Sequence, residues 1–257
     1  MELPLDRYSL RARVAPALVV FLPLFLAGAA WMSAPLTPPE GVGWTLGLGL
    51  MALLSSQFVR DAGFKKEPRL YARWGGAPTT RFLRHRDSTL EPQTKARYHS
   101  RLAQLVPESH LPTPEQEAHD PGAADQAYVA CVRFLRANTQ DKAIFARQLE
   151  ANIDYGFRRN LWAVKATGIA VAGIGTLAAT TRVVVLALDK PSAVPLLAST
   201  CGFLSLLLLL WWIFRIRVGW VALAAEAYAL QLLSACDILQ PTQQPASHQP
   251  PRIITSP

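Results

Sequence analysis

Residues 14–32 read VAPALVVFLPLFLAGAAWM, and residues 42–59 read VGWTLGLGLMALLSSQFV. Neither stretch holds a charged side chain, and the 33–40 connection between them is Ser-Ala-Pro-Leu-Thr-Pro-Pro-Glu, a helix-breaking turn composition. Hydrocarbon offers no partner to a bare amide or carbonyl, so a crossing segment must be a helix of about 20 mostly apolar residues. Windows 161–181 and 193–214 meet the same standard, joined at 189–192 by Asp-Lys-Pro-Ser. The third window has the least certain end, because 183–188 is apolar beyond Arg182.

Arg7, Arg11 and Arg13 followed by an apolar run imitate a secretory signal, with Ala27 to Ala30 as a cleavage region. The run is long, contains Pro16 and Pro23, and is followed after a short turn by a second one. A retained hairpin is the reading. The 257-residue chain is 51% hydrophobic, 17% charged and carries a formal charge of +8, concentrated between Arg60 and Lys165. That split suits membrane segments plus a water-facing domain.

Lys and Arg cluster at Arg7, Arg11, Arg13, Arg60, Lys65, Lys66, Arg158, Arg159, Lys165, Arg215 and Arg217, whereas the 33–40 turn has none. The positive-inside rule then places both termini and the central domain in the cytoplasm. Trp162, Trp211, Trp212 and Trp220 fall near that boundary, with Trp31 and Trp44 near the opposite one. The expected class is an all-α integral membrane protein, two transmembrane helical hairpins flanking a cytoplasmic helical domain. Its divisions are an N-terminus (1–13), hairpin (14–59), basic helical domain (60–160), hairpin (161–214), C-terminal helix (215–239) and Pro/Gln-rich disordered tail (240–257). The 218–239 helix carries Glu226 and Asp237 and reads as interfacial or domain-packing rather than a fifth span.

Within the domain, 60–101 is strongly basic and 102–157 acidic. Residues 106–122 read as a Pro-rich acidic loop. Tyr128, Val132 and Leu135 share a helical face, and Asp141 caps a helix bearing Ile144, Phe145, Leu149 and Ile153. That last helix runs almost directly into the third span.

No catalytic set emerges. Cys131, Cys201 and Cys236 lie far apart, no histidine pair has metal-ligand spacing, and no HExxH, phosphate-binding loop or GxSxG occurs. The sequence implies neither a cofactor nor a metal. Two strings stand out. In 74–87, Trp-Gly-Gly-Ala-Pro-Thr-Thr leads into Arg81, Arg84 and Arg86, a turn and helix start suited to an anion or, more blandly, to lipid headgroups. In 150–162, Tyr155, Arg158, Arg159 and Trp162 suit headgroup anchoring, with Gly156 as a hinge or gate. In the third span Gly168, Ala172, Gly175 and Ala179 recur at i, i+4, i+7 and i+11, a packing seam within the chain or between copies. Thr176 and Thr180 make its far end polar, a pore mouth or simply the neighbourhood of a snorkelling Arg182.

The 74–80 string, Tyr98-His99, and Asn-Ile-Asp-Tyr-Gly-Phe-Arg-Arg-Asn-Leu-Trp at 152–162 together resemble bacterial four-span membrane effectors. These belong to nucleotidyltransferase-linked antiphage systems of the CBASS and Hailong types. The resemblance covers roughly 60–165 and the hairpin arrangement. It implies a homo-oligomer that permeabilises or depolarises the inner membrane under a nucleotide or oligonucleotide signal from an operon-encoded nucleotidyltransferase. It transfers no contact residues. The alternatives are a non-conducting scaffold in the lipid bilayer that recruits a cytoplasmic partner, and a small transporter.

Overall fold

The computed structural model describes residues 7–32, 37–189 and 196–240, and among them every regular element is helical. In order these are α1 (Arg7–Ser9), a π-helical turn (Leu10–Val14), α2 (Ala15–Ala30), α3 (Pro38–Trp74), α4 (Pro78–Arg81), α5 (Pro92–Leu105), α6 (Pro114–His119), α7 (Pro121–Asn138), α8 (Ala146–Ala163), α9 (Lys165–Asp189), α10 (Leu196–Phe214), α11 (Val218–Leu233) and a closing 3₁₀ turn (Ser234–Asp237). Five helical stretches are long and apolar enough to cross a membrane, the fifth being Val218–Asp237. By length and composition it qualifies beside the four windows expected. The two connecting turns and the tail beyond 240 fall largely outside the described residues.

The chain forms two compact units. The first comprises Met1–Pro78 and Ala146–Gln231; the second comprises Thr79–Phe145 and Leu232–Pro257.

In the first unit α2 packs against α3, α9 and α10. The small stripe of α9 makes this possible: Gly168, Ala172, Gly175 and Ala179 are all buried. A β-carbon at Gly168 would lie 2.5 Å from the Trp212 ring, and one at Gly175 would lie 2.6 Å from the Pro23 carbonyl oxygen. Ala179 meets Ala30, Ala198 and Cys201. In a bilayer, where lipid removes the hydrophobic drive between apolar helices, close backbone approach and dispersion would hold the contact. The seam therefore joins helices of one chain. Trp212, expected among interfacial aromatics, is instead fully buried in the notch at Gly168.

Two boundaries move. α3 is one helix of 37 residues, continuing from the apolar window through the charged 60–74 segment with Pro68 inside it. Gly75, at φ 72°, takes the left-handed conformation that closes the helix. The third apolar helix begins at Lys165 and runs to Asp189, past the expected end at Thr181. Only Val164 separates α8 from α9. Its amide bonds to Asn160 and its carbonyl accepts from Gly168, so the axis is nearly continuous.

The second unit has Phe82, Leu83, Leu102, Tyr128, Cys131 and Leu135 in its core. Residues 106–122, expected as a loop, contain α6 and the start of α7. Thr113 and Gln116 form a reciprocal capping box, and Asp120 receives the Ala123 amide. Asp141 accepts the amides of Ala143 and Ile144, but α8 begins only at Ala146 and Ile144 points outward. Arg97 pairs with Asp237, and Arg101 donates to the carbonyls of Cys236 and Leu239, tying α5 to the closing turn.

Candidate functional site

The 150–162 string does something other than anchor. Its helix, α8, lies beside the charged half of α3 and the π turn. Arg159 is 5% exposed and its Nη1 stands 2.9 Å from Glu67 Oε1 of α3, whose side chain is 16% exposed. The Tyr155 hydroxyl donates to the same carboxylate at 2.7 Å. The Arg159 guanidinium also lies over the Phe64 ring, 4.0 Å from its centroid. Burial, followed by the neighbouring Tyr71 and Glu67, pushes the Tyr155 hydroxyl well above the ordinary tyrosine range, so it stays a donor. A guanidinium so engaged is not free to hold a lipid phosphate, which corrects that role for Arg159, and Tyr155, expected at the interface, is buried against Glu67 instead.

Asn160 extends the network. Its side-chain amide donates to the Ala12 carbonyl at 2.7 Å. Pro16 explains why that carbonyl needs a donor, since proline cannot supply the i+4 amide of a regular helix. A π turn and an asparagine from another helix answer the vacancy. Gly63 makes room: a β-carbon there would sit inside contact distance of the Asn160 oxygen. Gly156, expected as a hinge, is inside α8, where a β-carbon would press on Ala12 and Tyr8 at 3.3 and 3.4 Å. Arg158 pairs with Asp154, donates to the Trp220 carbonyl and stacks over the Trp220 ring; Trp162 is half-buried. Lys66 donates to the Ala163 carbonyl, and Lys165 to those of Ile213 and Ile216.

Together these contacts clamp α3, the π turn and α8 at the polar end of the apolar helices. The sequence showed the α8 half of the clamp. Glu67, Gly63 and Ala12 were missed, because nothing in their own neighbourhood marks them.

In the second unit the three arginines of the 74–87 string meet carboxylates of the same chain. Arg81 pairs with Asp87 at 3.1 Å, and Arg84 forms a two-pronged pair with Asp125 at 2.7 and 2.8 Å. Arg86, 51% exposed, lies 3.9 Å from Glu117. Glu117 is 3% exposed and accepts the His85 amide, the Arg86 amide and the Tyr128 hydroxyl. Burial raises its pKa, but those hydrogen bonds outweigh it and hold the carboxyl below its ordinary range. An internal carboxylate thus occupies the His85 and Arg86 amides, downstream of the helix start expected to receive an anion.

Beside them His85, Arg86, Asp87, Glu91, Lys95 and His99 border a cavity of about 540 Å³, within the range of small-molecule sites. The Lys95 ammonium donates to the carbonyls of Arg84 and Asp87, and burial lowers its pKa. His99 donates from Nε2 to the Leu83 carbonyl at 2.7 Å, and burial with the nearby His85 and Lys95 depresses its pKa. The half-exposed Arg86 is the cation best placed for a ligand there.

Thr176 and Thr180 border a separate space of about 260 Å³ between α9 and α10. Thr176 donates to the Ala172 carbonyl of its own helix, and Arg182 stacks over Trp31. Among the described residues no group of His, Cys, Asp or Glu has the makings of a metal site. No protein-family model, curated protein or solved structure matches the chain.

Proposed function

We propose that this chain is a multi-pass effector of the bacterial inner membrane that conducts ions as a homo-oligomer under a nucleotide or oligonucleotide signal. Both termini and the second unit face the cytoplasm, as the Lys/Arg asymmetry directs. Four of the apolar helices cross as two hairpins. The Val218–Asp237 stretch stays on the cytoplasmic side, consistent with its Glu226 and Asp237 and with its window being the most buried of the five. Membrane depolarisation in antiphage defence, with an operon-encoded nucleotidyltransferase as partner, follows from the sequence resemblance.

The observation that carries the reading is the clamp. Helices α3 and α8–α9 each continue from an apolar stretch into a polar one, and Glu67, Arg159, Tyr155 and Asn160 bind them at the junction. A displacement of the polar ends would pass into the apolar ones as a rigid movement, which is what ligand gating needs. The ligand would be met by Arg86 at the cavity beside it. The second reading is a non-conducting scaffold. It is favoured by the closure of the α9 seam inside one chain, which leaves conduction to surfaces between copies.

Ion flux through the purified full-length protein in liposomes, with and without mono-, cyclic and oligonucleotides, tests the proposal. Ligand-dependent flux that Arg86→Glu alters supports it. No flux from correctly inserted protein under any of these ligands overturns it in favour of the scaffold.

A further inference from the structure

Helices α2 and α10 leave between them an apolar groove of about 620 Å³. Its walls are one stripe of each helix: Val19, Leu22 and Leu26 face Leu204, Leu207 and Trp211. At 1.5 Å per residue each stripe runs about 10 Å along its axis. Such a lining offers nothing but hydrocarbon contact, and an alkyl chain is its complement.

One end of the groove has a different chemistry. Phe157 and Trp211, both on its wall, pack edge-on to Trp220 with centroids 6.5 and 6.2 Å away. Two guanidiniums lie over Trp220, Arg158 at 5.0 Å and Arg215 at 5.3 Å from its centroid. Arg158 is committed to Asp154 and to the Trp220 carbonyl. Arg215 is exposed just past the end of α10, and no carboxylate among the described residues pairs with it. A dry alkyl slot therefore ends at a tryptophan that positions a guanidinium with donors to spare.

We propose that this groove is a specific site for an anionic phospholipid, one acyl chain lying between α2 and α10 and the phosphate held by Arg215. Bulk lipid would fill the slot without regard to its headgroup. The Arg215–Trp220–Arg158 stack makes the site selective, because a guanidinium binds a phosphate with two parallel hydrogen bonds and each basic residue near a headgroup adds attraction for negative charge. The inference rests on the membrane reading but not on conduction or gating.

The test is native mass spectrometry of the full-length protein in detergent, titrated with phosphatidylglycerol, phosphatidylcholine of identical chains, and glycerol phosphate. One phosphatidylglycerol is expected to be retained with about a tenfold preference over phosphatidylcholine, with no retention of glycerol phosphate. Arg215→Gln should reduce the preference to about twofold while leaving phosphatidylcholine binding unchanged. Leu207→Trp, which fills the groove, should weaken both lipids. Equal retention of the two lipids by the unaltered protein overturns the proposal, as does a preference that survives Arg215→Gln. A dimer that forms only without lipid and that Leu207→Trp abolishes would show that a second copy covers the groove, and also overturns it. Protein that stays monodisperse without detergent would instead refute the membrane reading.

Discussion

Glu67→Ala deletes the carboxylate that Arg159 and Tyr155 share, at 2.9 and 2.7 Å. What remains around the guanidinium is the Asn160 oxygen at 3.3–3.4 Å and the faces of Phe64 and Tyr155. An exposed ion pair of this length is worth about 0–1 kcal/mol. Arg159, at 5% exposure, is not exposed, and stranding a buried charge costs about 3–5 kcal/mol. At roughly 2–4 °C per kcal/mol for a chain of this size, Tm should fall by roughly 6–20 °C. Glu67→Leu combined with Arg159→Met should recover most of that loss, since apolar replacement of a whole buried pair is often neutral or better. The assay is tryptophan fluorescence against temperature on the full-length protein in detergent. A fall below about 3 °C for the single variant, or a double variant no better than the single, would refute the claim that the pair is a buried clamp.

Gly63→Ala should destabilise by about 2 kcal/mol, because overpacking and the displaced Asn160 amide outweigh the gain in helix propensity. Gly173→Ala, which meets nothing within 4 Å, should be neutral or slightly stabilising; equal Tm shifts for the two would sink the packing argument. Cysteines placed at residues 9 and 239 should label from the same side of inverted or right-side-out vesicles; labelling from opposite sides would make the Val218–Asp237 stretch a fifth span. His99 has its pKa lowered by burial, so the unfolded chain takes up a proton at a higher pH than the folded one. The second unit's stability is therefore complete above about pH 6.5 and declines as pH falls through the folded value. After correction for the intrinsic pH dependence of amide exchange, protection in α5 should fall from pH 7.5 to 5.5 in the unaltered protein and fall less in His99→Gln; identical pH dependence would remove His99 as the cause.

Apolar length, charge placement and periodicity are properties of neighbouring residues, and they made the helical class, the four windows and the near-continuity of α8 with α9 legible. The cap of α6 was equally local, yet Thr113–Gln116 lay hidden in a segment rich in Pro and acid, where composition argued for a loop. The α9 stripe announced a seam but not its partner, since small residues say only that something approaches closely.

Partner identity is where tertiary structure alone decides. The charges of Arg81, Arg84, Arg86 and Arg159 are written in the sequence, but only Arg81 is answered locally, by Asp87; the other three meet carboxylates whose positions depend on how helices dock, Asp125 and Glu117 from α7 and α6 and Glu67 from α3. Coulomb attraction and desolvation depend on distance and burial through space, not along the chain. The sequence by itself determined that this protein is a set of apolar helices with a basic, helical remainder. Only the packing determined that most of the arginines first read as waiting for phosphate are engaged inside the fold, and that Arg86 and Arg215 keep donors for a ligand.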